Sequence, residues 1–447
     1  MRLALQACLY FVFFNASLCL FAQAPSVPPP APAQTQAIAI VGGTVHVGNG
    51  KIINNGTVVF ENGKIIAVGE RSSIDTKNAH IENASGKEVY PGIIAANSAI
   101  GLNEIGAVRA TNDFAEVGDL KPNVRAAIAY NTDSRVIPTV RSNGILLAQV
   151  VPQGGLMPGQ SSIMQLDAWN WEDAIYKADN AIYCNWPSVA TFTGWWAEQG
   201  GIDPNKKYME GVNAIRTLLD EARAWCSSID NNNTNTTRAK NLKLEALCPL
   251  FSGQKQIFVN ANNIKEIIDA VNMAQNYGLK IVICGGSDAW MALDFLKTNK
   301  VPVVIARTHN LPNRPDEDID QPFKLPKMLN DAGILFCLSA GAAGDAFWDM
   351  RNIPFEAGTA VAYGLTKEEA LSAITYNAAK ILGIDHQTGT IEVNKDANIL
   401  IVSGDLLDMR SSKVEQAYIS GRKIDLDNKQ KALARKFAGK YNIVISE

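Results

Sequence analysis

Residues 256–286 read QIFVNANNIKEIIDAVNMAQNYGLKIVICGG. An apolar run from Gln256 to Ala261 is followed by a segment in which Ile264, Ile267, Ile268 and Val271 recur at helical spacing. Gly278 ends that segment before the next apolar run, LKIVIC from Leu279. Two buried strands joined by one amphipathic helix make a β-α-β unit, and such a crossover predicts parallel strands. The texture continues in VPVVIA from Val301 and ILFCLS from Ile334. Four units of this kind predict part of a barrel wall.

Outward toward the C-terminus, a helix is predicted from Thr366, whose hydroxyl can cap it while Glu369 closes a capping box. Ala370, Leu371 and Ile374 then face the core. The chain next turns to β texture in GTIEV from Gly389, NILIVSGD from Asn398 and VEQAYISGRKI from Val414. The same texture fills residues 37–90, where Asn62-Gly63 between two alternating apolar segments signals a hairpin, because both residues tolerate the positive φ of its turn. The simplest arrangement is a small β-sandwich built from both chain ends, 37–90 and 386–447, around an inserted barrel at 91–385. Ser227–Thr237 is a polar, low-complexity loop in which no chemistry is expected.

The first 24 residues carry Arg2, an apolar stretch from Leu3 to Phe21 and then Ala22-Gln23-Ala24, the pattern of a secretory signal peptide. The alternative is an uncleaved anchor. Either way the body is expected outside the cytosol, in the periplasm or at the cell envelope. Residues 25–36, PSVPPPAPAQTQ, read as an extended tether. Beyond the leader stand Cys184, Cys226, Cys248, Cys284 and Cys337, scattered and mostly in apolar runs. That reads as buried free thiols rather than a disulfide framework or a zinc site. The 447 residues are 47% apolar and carry a net charge of −3 with no long basic run, so a large core is expected and nucleic acid is not. Small molecules or proteins are the expected partners.

Three stretches carry a resemblance: the opening GGTVHVGNGKI with its NGKIIAVG hairpin, the run EVYPGII, and the closing block AVAYGLTKEEALSAITYNAAKILGI with TGTIEVNKDANILIVSGD. From about Ala37 to Ile424 the chain resembles the amidohydrolase superfamily, in particular its exported imidazolonepropionase-like branch. The resemblance implies a TIM-type (β/α)8 barrel with a composite β-sandwich. It also implies hydrolysis of carbon-nitrogen bonds other than peptide bonds, by a hydroxide bound to a divalent metal such as zinc. In the family the first barrel strand ends in His-x-His, two imidazoles on one side of a strand. Here PGIIAANSAIG places Asn97 and Ala99 at those positions.

The strand QIFVNA matches a family strand ending in a ligand histidine, and Asn260 stands there instead. LKIVICGG offers no histidine. Where the family places an aspartate after the last strand, the chain reads Ser339-Ala340-Gly341, and Asp345 is the nearest carboxylate. Of four histidines, His46 and His80 fall in the first β segment and His386 in the returning one, leaving His309 alone in the barrel. The expected family metal therefore lacks its ligands. The reading is a metal-less, non-catalytic homologue that binds a small molecule, as a homo-oligomer or paired with an active paralogue. The alternative is an active hydrolase with a rearranged, oxygen-rich site from Asp345, Asp288 and Glu104 for a harder cation.

Pocket candidates are Asn97, Glu104, Asn260, His309, Ser339 and Asp345. Asn97 and Asn260 can bind a ligand through their amides or simply fill the core. His309 follows a strand end, where barrel active sites lie, or is satisfied within its loop, whose Arg314, Asp316 and Asp318 form a solvated charge cluster. Glu104, Arg109 and Asp113 are either ligand or partner contacts or surface ion pairs. VPQGGLMPGQSS lacks the Gly-Lys-Ser/Thr ending of a phosphate cradle and reads as a barrel loop. No G-x-S-x-G elbow supplies a serine nucleophile.

Overall fold

The computed structural model describes residues 29–194, 200–230, 240–342 and 346–445. The leader, residues 1–24, lies outside them with the first four residues of the tether, as does most of the polar loop. The first β segment contains β1 (Ile38–His46), β2 (Ile52–Glu61), β3 (Lys64–Glu70), β4 (His80–Asn83) and β5 (Glu88–Pro91). The barrel strands are β6 (Ile93–Ser98), β7 (Ile145–Val150), β8 (Gly159–Gln165) and β9 (Ile175–Asn185). A two-stranded hairpin follows, β10 (Ala190–Phe192) with β11 (Ile202–Pro204), and the barrel resumes with β12 (Gln256–Ala261), β13 (Ile281–Gly285), β14 (Val303–Ile305) and β15 (Phe336–Leu338). The chain returns through β16 (Ile399–Ser403), β17 (Lys413–Ile419) and β18 (Arg422–Ile424).

Both chain ends share one eight-stranded sheet in the order β18-β17-β16-β5-β1-β2-β3, with β4 beside β1. The join is β16 against β5, antiparallel from Ile399 opposite Pro91 to Val402 opposite Glu88. Ile40, Val58, Phe60 and Ile65 from the first segment pack with Ile399, Ile401 and Tyr418 from the second, so neither end could bury its apolar face alone. The Asn62-Gly63 turn has both residues at positive φ, 52° and 78°, between β2 and β3. Gly389–Val393, expected as a strand, has no strand pairing; it runs as a loop whose Ile391 N–H bonds the Val47 carbonyl.

The second sheet runs β6-β7-β8-β9-β12-β13-β14-β15 and closes as the last strand meets the first, where the Ser339 hydroxyl donates to the Ala96 carbonyl at 2.5 Å. Helices cover it, among them α1 (Val136–Arg141), α2 (Tyr208–Asp230), α3 (Ile264–Asn276), α4 (Gln321–Ala332), α5 (Ile353–Ala362), α6 (Lys367–Ile374) and α7 (Tyr376–Leu382). Asn263 and Glu266 cap α3 reciprocally, as Thr366 and Glu369 cap α6. The interior is filled by Ile94, Leu147, Ile163, Tyr183, Phe258, Val282, Val304 and Cys337. One strand departs from the parallel expectation: β8 pairs antiparallel with both β7 and β9. The reason is the short connection from Val150 to Gly159, which has no room for a crossover helix and allows only reversal.

Three further expectations are corrected. Cys226 and Cys248 form a disulfide, because the end of α2 and the turn at Cys248–Phe251 are folded against each other, a proximity that linear spacing does not reveal. Cys184, Cys284 and Cys337 are free and buried. The tether is docked from Pro29 onward: the Ala31 N–H donates to Asp167 and its carbonyl accepts from Arg422. Asp167 also pairs with Arg141 at 2.6 Å and with Arg422 at 2.8 Å, so one buried carboxylate ties the tether, the barrel and β18. Ser227–Asp230 is the end of helix α2.

His46 at the end of β1 joins the sandwich to the barrel. Its ring stacks on Tyr90, Nδ1 lies 2.6 Å from Glu368 on α6, and Nε2 lies 2.9 Å from Glu88. Burial opposes a charge there, but the hydrogen bond and attraction of Glu368, and then those of Glu88, outweigh it and raise the His46 pKa above its ordinary 6.5. The folded state therefore holds the proton more tightly than the unfolded chain. The stabilisation is complete below the unfolded value and fades as pH rises through the folded one. His46→Gln is expected to lower the urea midpoint relative to the parent at about pH 5.5, with the gap closing toward about pH 9; a gap that widens with pH contradicts the pairing.

Candidate functional site

The barrel mouth holds a cavity of about 500 Å³ at the carboxyl ends of the strands. Asn97 from β6, Asn185 from β9, Asn260 from β12 and Asn262 just beyond it line the cavity, with Gln153, Cys284 and Arg307. No carboxylate and no imidazole stands among the described lining residues.

Asn97 is set by its backbone. The pairing of β6 with β7 shifts between Ala95 and Ser98, a bulge, and Asn97 sits in it at φ 51°, a left-handed conformation that asparagine tolerates better than most residues. Its N–H donates to Gln149 Oε1 at 3.0 Å; its own Oδ1 is buried without a partner among the described residues. The bulge also changes which residues point inward. Ile94 and Ala96 face the barrel interior, Asn97 lines the mouth, and Ala99 turns into the outer core with Ile100 and Tyr130. The expectation that Asn97 and Ala99 share one direction is thus corrected: alternation does not survive an inserted residue.

Gln149 is the hub beneath the mouth. Fully buried, it accepts from Asn97 N–H and from Tyr183 Oη at 3.0 Å, and donates to Ser161 Oγ at 3.1 Å. A second chain of amides runs across the wall: Asn260 Nδ2 donates to Asn185 Oδ1 at 2.6 Å, and Asn185 Nδ2 donates to the Gly155 carbonyl at 2.7 Å. Asn260 and Asn185 are direct register partners on adjacent parallel strands, which is what brings their side chains together. Asn262 accepts from Ser287 Oγ. Gln153 reaches across to the Ala342 carbonyl and ties the loop after β7 to the loop after β15.

The other candidates lie elsewhere. His309 is held outside the cavity lining, with Nε2 2.6 Å from Thr359 Oγ1, Nδ1 3.2 Å from Glu356 and its N–H on the same carboxylate. Glu104 is on the loop after β6, where Asn131 Nδ2 donates to it at 3.3 Å. Arg109 and Asp113 share that loop and do not line the mouth. Ser339 is fully buried in the seam, donating to Ala96 and accepting from Gly341 N–H. Asp345 lies outside the described residues. Asp288 is bound by Arg314 at 3.0 Å through both oxygens and accepts the Ile264 N–H at the start of α3. The Arg314 cluster is therefore not wholly solvated: its carboxylate partner Asp288 is buried.

These residues do not fit a divalent metal. Among the described residues no three His, Cys, Asp or Glu side chains gather to hold an ion, and the mouth offers neutral carboxamides, of which Asn260 and Asn185 are already bonded to each other. Asp288 and Glu104, invoked for a rearranged site, are apart from the cavity lining and bonded to other partners. Cys284 was not anticipated. It is register partner to Asn260, and burial pushes its thiol up to about 12, so it stands protonated at neutral pH rather than as a nucleophile. Asn185 and Asn262 were also missed; the stretches YCNW at the end of β9 and NAN at and just beyond the end of β12 carry a signal only once the strands are paired.

The amidohydrolase family profile matches residues 206–424. A crystal structure of an amidohydrolase from Thermotoga maritima MSB8 superposes with a TM-score of 0.76 at 23% identity, covering 87% of this chain and 99% of that one. A putative prolidase from Bifidobacterium longum gives 0.53 at 15% identity over 92% and 100% of the two chains. A Xaa-Pro dipeptidase with bound methionine in its active site gives 0.55 at 12% over 87% and 100%. At these identities the structures bear on the fold. No curated protein matches the sequence at a significant level.

Gln149→Leu, close in volume, strands the Asn97 N–H and the Tyr183 hydroxyl without their acceptor. The expected cost is about 3 kcal/mol in urea denaturation, from two buried donors left unsatisfied; a cost below about 1 kcal/mol would mean that the hub does not hold the mouth.

Proposed function

We propose that this chain is a member of the amidohydrolase superfamily, whose family profile matches residues 206–424 and whose fold it shares, and that this copy binds a neutral, amide-bearing small molecule at its barrel mouth without hydrolysing it. The observation that carries the reading is the set of carboxamides at the ends of three barrel strands, Asn97, Asn185 and Asn260, with Asn262 beside them. A carboxamide presents a donor and an acceptor side by side, which matches another amide and repays neither a bare cation nor an anion. Asn97 adds a buried oxygen with no partner among the described residues, an acceptor whose satisfaction by a ligand donor would be favourable.

Hydrolysis of a carbon-nitrogen bond needs a group that activates water and one that protonates the leaving nitrogen. The described mouth offers amides, a protonated thiol and Arg307, which is paired with Asp349 at 3.0 Å. Carboxamides carry no titratable group, the Cys284 thiol is held protonated, and a guanidinium has donors but no acceptor with which to take a proton from water. The reading also places the body outside the cytosol. The apolar leader supports it, and so does the Cys226–Cys248 disulfide, a bond that persists chiefly in oxidising compartments.

The test is calorimetric titration with a panel of N-acetylated amino acid amides and cyclic dipeptides, alongside assays of their turnover. Binding of a panel member without turnover is expected, weakened about tenfold or more by Asn97→Leu and by Asn260→Leu. Chelator-sensitive turnover of any of them overturns the non-catalytic reading, and no binding across the panel overturns the ligand class.

A further inference from the structure

Helix α8 (Lys429–Tyr441) closes the described chain and is nearly unsupported: of its 13 residues only Ala438 is buried. A helix of that length is marginal on its own and is normally held by an apolar face packed on something. Here the apolar residues face solvent instead. Leu433, Phe437 and Tyr441 follow one another at i, i+4 and i+8, 40%, 47% and 61% exposed, and the tail behind them exposes Ile443, Val444 and Ile445. The helix carries Lys429, Lys431, Arg435, Lys436 and Lys440 and no acidic residue, on a chain whose net charge is −3. Arg435 leans back to Asp427 and Lys431 to the Leu426 carbonyl. Lys429, Lys436 and Lys440 run beside the apolar stripe, the last two with their ammonium groups near the Phe437 and Tyr441 rings.

The position of this helix narrows what covers it. Its N-terminal end is fixed to the region of α1, where Thr139 Oγ1 donates to Gln430 and Asn428 Nδ2 donates to Ser142. Pro29 and Pro30, the first described residues, sit in a cavity with Ile137, Pro138 and Arg141 of that same α1, beside the exposed Trp169. The apolar run Leu3–Phe21 therefore precedes the structure by a stretch, residues 22–28, that spans at most about 25 Å. A retained or not yet cleaved leader holds this end of the molecule close to a bilayer. A second copy docked symmetrically through the same face would set one row of lysines against the other, since an isologous contact pairs a patch with itself.

We propose that α8 and its tail lie on an anionic lipid surface, with Leu433, Phe437, Tyr441 and Ile443–Ile445 in the headgroup boundary and Lys429, Lys436 and Lys440 against lipid phosphates. The protein thus rests on the membrane through its C-terminal helix, at the end where its tether is docked. This is independent of what the barrel mouth binds.

Hydrogen–deuterium exchange of the full chain, read at residues 429–441, reports on the helix separately from the leader. On vesicles of mixed phosphatidylglycerol and phosphatidylcholine the helix amides are expected to exchange about tenfold more slowly than in solution, as expected for a frayed element that gains a packed face. Phosphatidylcholine vesicles are expected to leave them unchanged. The protection should be lost in the triple variant K429E/K436E/K440E and, separately, in L433S/F437S/Y441S, with exchange in α3 unaltered as the control. No slowing on the anionic vesicles overturns the proposal, as does equal slowing on phosphatidylcholine. Slowing that grows with protein concentration in the absence of lipid also overturns it, by showing that a second copy covers the helix.

Discussion

A side chain on a β-strand can point to only two sides, so the residues that meet at the mouth of a closed sheet are decided by register and by any bulge that interrupts it. In this chain the decisive bulge is at Asn97. Its left-handed backbone and its N–H bond to Gln149 turn one amide toward the cavity and send Ala99 into the outer core. On the facing wall, the direct pairing of Asn260 with Asn185 makes two amides partners before any ligand arrives. The amides that these two features bring to the mouth are uncharged and held in place by the strands. Carboxamides of this kind form hydrogen bonds readily and are poor ligands for a divalent transition metal.

What keeps the mouth in shape is the closure of the whole molecule. Ser339 seals the last strand to the first, and Gln153 binds the loops above them. Farther away, Asp167 gathers Arg141, Arg422 and the docked tether around one buried carboxylate, and His46 links the sandwich to α6. Each of these contacts joins segments far apart in sequence. Together they explain why a sandwich made from both chain ends accompanies the barrel: β5 and β16 are adjacent strands of one sheet, and they fix where the barrel chain enters and leaves.

Local signals in the sequence were sound wherever the structure depends on local chemistry. The Asn62-Gly63 turn, the Thr366–Glu369 capping box, the α3 periodicity and the four strands from Gln256 to Leu338 all form where the residues indicate. Neither β8 nor its reversal was legible: Val151–Ser162 reads as a barrel loop because of its glycines and prolines, yet Gly159–Ser162 open the strand, and the short connection before it forces the turn. The Cys226–Cys248 bond and the pairing of Asp288 with Arg314 depend on how distant segments return to one another. At the site, Asn97 and Asn260 were legible as pocket residues, and both line the cavity. Asn185, Asn262 and Cys284 were not, since their role follows from strand register alone. His309 stood out for its rarity in the barrel, yet Glu356 and Thr359 occupy its nitrogens away from the cavity.

The central claim concerns the donor set at the barrel mouth, and anomalous diffraction tests it directly. Crystals of the full chain grown with excess zinc, nickel or manganese, with data collected at each absorption edge, should show no ordered ion held by protein side chains between Asn97, Asn185 and Asn260. A fully occupied ion at that position, bound by side chains of this chain, would contradict the account.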